Sequence, residues 1–139
     1  MKIASIIAGA LLGLLFVASG VMVLFKLVPT PPIPEGTPPA HFMAAFAPTG
    51  YLTFVKVLEV VGGGLVAIPR TRRIGLLVLG PIIVNILAFH AFVTGGQGLF
   101  GPLVLIICAL ALFLVWVERA AFRQFLFPPR FSETHPANH

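Results

Sequence analysis

Four residues in otherwise apolar stretches of this chain carry groups that can do chemistry: Lys56, Glu59, Asn85 and His90. Such side chains are costly in hydrocarbon, so they turn toward the protein interior, a partner or a ligand. Lys56 and Glu59 are three residues apart, which sets ammonium and carboxylate on one face of a helix. Two roles are open to Glu59: neutralising Lys56 in a structural ion pair, or serving as a protonatable, hydrogen-bonding group in a site. Asn85 has a similar choice between tying helices together and holding a ligand. His90 lies about 140° around an ideal helix from Asn85, so both face one cavity only if the helix is kinked or locally unwound.

Depth relates these residues. Glu59 is eight residues after Tyr51, where its apolar run begins, and Asn85 is nine before Thr94, where the next one ends. Ser19 is at a similar level counted from Val28, and Lys56 and His90 form a shallower one. A polar cluster beneath one surface is expected if these helices are neighbours. Metal chemistry is not expected, because His41 and His90 are isolated and Cys108 has no Cys or His at ligand spacing. Cys108 reads as a small buried hydrophobe. The sequence has no Cys-x-x-Cys, nucleophile elbow or phosphate loop. Chemistry on a bound cofactor such as a quinone stays open.

The elements that hold these residues are spans of apolar sequence. Charged residues are only 9% of the chain, against about 25% in soluble domains, and mean hydropathy is +1.05. A soluble domain of 139 residues cannot hide that much apolar surface, so the solvent is lipid. The net charge of +5 does not indicate nucleic acid, because the basic residues sit at the ends of apolar runs rather than on one face. The runs 3–28, 51–68, 74–94 and 102–118 are each close to the roughly 20 residues that cross a bilayer. The first could pass for a signal peptide, but it continues past the usual apolar length and is expected to stay. The expected fold is all-α, a single membrane domain built as a four-helix bundle.

Arg70, Arg72 and Arg73 crowd the short link between the second and third runs, and by the positive-inside rule that link is cytoplasmic. Both termini then lie inside, with Lys2, Arg119, Arg123 and Arg130 on the same side. The loop 29–50 lies outside; it is proline-rich, so it begins extended, and Thr37 with Pro38 can then start a short surface helix over His41 to Ala47. Arg119 and Arg123, four apart, with Phe122, Phe125 and Leu126 on another face, suit a helix lying along the inner surface. Ser5, Gly9, Gly13 and Gly20 form a small-residue stripe that lets a helix approach closely, and Pro81 is expected to kink the third span.

Taken together, three segments carry a resemblance. They are Gly13 to Gly20 with Lys26, Lys56 to Gly63, and Gly80 to Leu87 with Phe89 and His90. With these the chain resembles the DoxX-like family of small four-helix bacterial membrane proteins, over residues 5 to 118. The resemblance implies a multi-pass protein of the bacterial inner membrane and a quinone-linked role, since the family takes its name from a subunit of a thiosulfate:quinone oxidoreductase. The first functional expectation is a non-catalytic accessory subunit of a larger, redox-active membrane complex. It would dock on other subunits through Gly9, Gly13, Gly20 and the tail 119–139. The alternative is a quinone- or lipid-binding component of a membrane oxidoreductase, using Lys56, Glu59, Asn85 and His90. A proton or solute carrier fits less well, because no internal repeat is evident.

Overall fold

The structure is a computed structural model that describes residues 1–128. Among them every regular element is helical. In chain order these are α1 (Lys2–Leu24), α2 (Pro38–Phe46), a 3₁₀ turn (Ala47–Thr49), α3 (Tyr51–Ala67), α4 (Arg72–Ala88), a π-helical turn (Phe89–Val93), α5 (Pro102–Val117) and α6 (Arg119–Leu126). The tail expected to dock on a partner falls within the described residues only as far as Pro128.

α1 and the stretch from Arg72 to Val93 are long and apolar enough to cross a membrane by themselves. α3 and α5, at 17 and 16 residues, reach that length only when joined to α2 and α6. Those partners bend away by 84° and 67°. At 1.5 Å per residue, α3 and α5 still extend roughly 25 Å, the short end of what a bilayer accommodates. The chain turns large apolar side chains outward, among them Ile3, Leu14, Leu112 and Phe92, the last 86% exposed. Lipid is the solvent that makes such a surface stable.

α1 packs along α3 and also touches α5, while α4 packs on α3 and closes onto α5. The four large side chains with no exposure are Leu12, Val66, Leu79 and Leu114, one from each of these helices. Val66 and Leu114 come near the ends of α3 and α5, so the apolar core sits toward the Arg70 end. The glycine stripe makes the α1–α3 contact possible. A Cβ on Gly13 would lie 2.5 Å from the Gly63 carbonyl oxygen, and one on Gly20 would lie 2.5 Å from Val60 Cγ2. This corrects the expectation that Gly9, Gly13 and Gly20 meet another subunit, because all three are buried against this chain's own α3.

Three local details differ from the sequence expectation or sharpen it. α4 runs through Pro81 as one helix, and the irregularity comes eight residues later as the π-helical turn. The surface helix does start after Thr37 with prolines at its first positions, but the Thr37 hydroxyl donates to the Pro34 carbonyl instead of capping it. α1 ends earlier than its apolar run, at Leu24, where Lys26 adopts φ 52° and the Leu27 amide donates to the Met22 carbonyl at 2.9 Å. A side-chain-bearing residue in that left-handed region costs roughly 1–2 kcal/mol, which is why glycine usually closes such an end.

Candidate functional site

Lys56 and Glu59 sit one turn apart on α3 and meet directly. The Lys56 ammonium donates to both Glu59 carboxylate oxygens, at 2.8 and 3.0 Å. α1 supplies the third member. The Ser19 hydroxyl accepts from Lys56 Nζ at 3.3 Å and donates to Glu59 Oε2 at 3.5 Å. The close approach at Gly20, one residue along α1, brings the Ser19 backbone within reach of α3. Glu59 is 3% exposed, so its charge depends on these partners.

A cavity of about 210 Å³ opens beside this pair. Lys56, Glu59, Asn85 and His90 all line it, so the four residues singled out by type and depth share one space. Phe42 and Met43 of α2, Tyr51 at the start of α3 and Phe89 add an apolar, largely aromatic wall. α2 is held over the cavity by aromatic contacts, with Phe42 packing edge-on to Phe89 at a centroid distance of 5.1 Å.

A π-helical turn follows α4, and His90 is its second residue. A π turn accommodates an extra residue per turn, so it rotates the following side chains relative to an α-helix, and such turns often mark functional sites. His90 Nδ1 lies 3.1 Å from the Ile86 carbonyl oxygen. A carbonyl only accepts, so the ring donates from Nδ1, while Nε2 lies against Gly98, where an added Cβ would sit 3.2 Å from it. Asn85 makes no side-chain hydrogen bond among the described residues; it lies exposed at the edge of the cavity, next to Val84 at 66% exposure. An amide at this depth in lipid calls for a partner.

Sequence reasoning missed a second charged cluster at the opposite end. It took Arg72 and Arg73 only as topology signals. Arg72 is in fact 3% exposed and lies across Gly9 of α1, where a Cβ would sit 3.0 Å from its Nε. Its Nη1 is 3.9 Å from Glu118, which Arg73 engages more closely at 2.7 Å. Nε and Nη2 of Arg72 have no hydrogen-bond partner among the described residues. The available signal was charge balance, since Glu118 is the one acid that directly follows an apolar run at that end.

Comparison with known proteins adds nothing to this geometry: no protein-family model, curated protein or solved structure matches the chain.

Proposed function

We propose that the protein holds a quinone-type ligand in the cavity between α2, α3 and α4, as a component of a larger membrane oxidoreductase. The observation that carries this reading is the convergence of Lys56, Glu59, Asn85 and His90 on one aromatic-walled space of about 210 Å³. That volume suits a single ring and is too small for a whole lipid. The Asn85 amide, which has no other side-chain partner among the described residues, offers a donor for a ring carbonyl and an acceptor for the hydroxyl of the reduced form, beside the charged Lys56–Glu59 pair. Phe42, Tyr51 and Phe89 suit the ring faces. Exposed Asn85 and Val84 mark the side from which an apolar tail would leave into lipid.

The frame for this proposal is a four-helix membrane bundle of α1, α3, α4 and α5, with both termini on the cytoplasmic side and the cavity toward the outside. The positive-inside rule and the clustering of arginines at one end support that topology. The resemblance to the DoxX-like family supports both the bundle and the ligand class. The accessory role expected from the sequence is kept in part: this chain binds the ligand, and electron transfer belongs to its partner subunits. Purification in mild detergent followed by solvent extraction tests the proposal. The wild-type protein should carry quinone and folded Asn85→Leu should carry far less; equal amounts in both would refute the site.

A further inference from the structure

A second, larger cavity of about 970 Å³ lies at the proline-loop end, between α1 and the start of α5. Met22 and Val23 of α1, Leu103 of α5 and the strap 28–31 form its walls. Ser19 and Lys26 are its strongly polar side chains, seven residues or about 10 Å apart along the chain. The walls are open to the bilayer: Met22, Val23 and Leu103 are 45%, 55% and 56% exposed.

Two independent features single out Lys26. It has no carboxylate within ion-pair distance among the described residues. It also occupies the left-handed position that closes α1, with φ 52°, where glycine would fit without strain. Strained residues are retained where a site needs their side chain, and this one lines the cavity. An uncompensated ammonium above an apolar, lipid-open slot is complementary to a phosphate attached to an acyl chain. Free phosphate would match the cation but leave the apolar walls without a partner.

We propose that this cavity is a binding site for one anionic phospholipid. Its phosphate sits on Lys26, assisted by the Thr30 hydroxyl, and its upper acyl chain lies along Met22, Val23 and Leu103. The site has its own lining and touches the Lys56–Glu59 cluster only through Ser19, and it does not depend on the quinone reading.

Quenching by brominated lipid tests it. Trp116→Phe removes the single tryptophan, and Leu103→Trp places a fluorescent reporter in the slot. The protein is reconstituted with tail-brominated phosphatidylglycerol or tail-brominated phosphatidylcholine at equal fractions. The expected result is at least a threefold preference for phosphatidylglycerol at this reporter, kept in Lys26→Arg and lost in Lys26→Gln. Lys26→Gly, which relaxes the backbone as it removes the charge, should fold and lose the preference too. Equal quenching by the two lipids, as a slot filled by a second copy or by the strap would give, overturns the proposal. So does a preference that survives both Lys26→Gln and Lys26→Gly.

Discussion

Removing the charges of Lys56 and Glu59 singly and together measures how much of the fold rests on their pairing. Glu59→Gln leaves the Lys56 ammonium without a carboxylate, with the neutral Ser19 Oγ still in reach at 3.3 Å. Breaking a buried pair by removing one partner costs about 3–5 kcal/mol. The lower figure applies here, because the Lys56 side chain keeps 24% exposure. Lys56→Met should cost about as much, since it strands a carboxylate that is almost wholly enclosed. The double variant removes both charges and should be no worse than either single one, so the coupling energy comes out at about 3 kcal/mol. Equilibrium unfolding in mixed micelles with rising dodecyl sulfate measures all four proteins. Additive effects, with coupling below about 0.5 kcal/mol, would refute the pair as a structural unit. The same double variant separates pairing from ligand binding: it should fold, yet bind quinone more weakly, because Lys56 and Glu59 line the cavity.

Gly13→Ala should destabilise the α1–α3 contact by about 1–3 kcal/mol, since its Cβ would meet the Gly63 carbonyl and Ala67. Gly64→Ala, whose Cβ would meet nothing within 4 Å, should be neutral or stabilising by up to about 1 kcal/mol in the same unfolding assay. Glu118→Gln should cost about 3 kcal/mol, because it leaves the buried Arg72 guanidinium without a carboxylate, whereas Arg73→Gln, at a side chain 62% exposed, should cost under about 1 kcal/mol. A reporter fused after His139 should read cytoplasmic and a cysteine at Pro34 should react with an impermeant label from outside; labelling from the cytoplasmic side alone would invert the topology.

Much of the site was legible because the chain isolates its polar residues in apolar sequence. Spacing alone paired Lys56 with Glu59, and counting from the span ends placed Ser19 and Asn85 at their level. The π-helical turn was not legible, since nothing in Phe89 to Val93 distinguishes it from an ordinary helix end. The glycine stripe announced close packing but not the partner, because a small-residue face is the same whether it meets another subunit or, as here, α3. Arg72 misled for a related reason. An arginine in a short basic link normally snorkels to water, and only the packing of α4 under α3 turns this one inward against Gly9.

Whether the cavity beside Lys56 and Glu59 binds a quinone is tested most directly by calorimetric titration of the delipidated protein with a ubiquinone bearing a ten-carbon tail. Saturable binding of about one molecule per chain is expected. Asn85→Leu should weaken it roughly tenfold, the loss of one hydrogen bond to the ring. Uptake that never saturates, or that is identical in the wild type and Asn85→Leu, would show only partitioning into the detergent and contradict a quinone site.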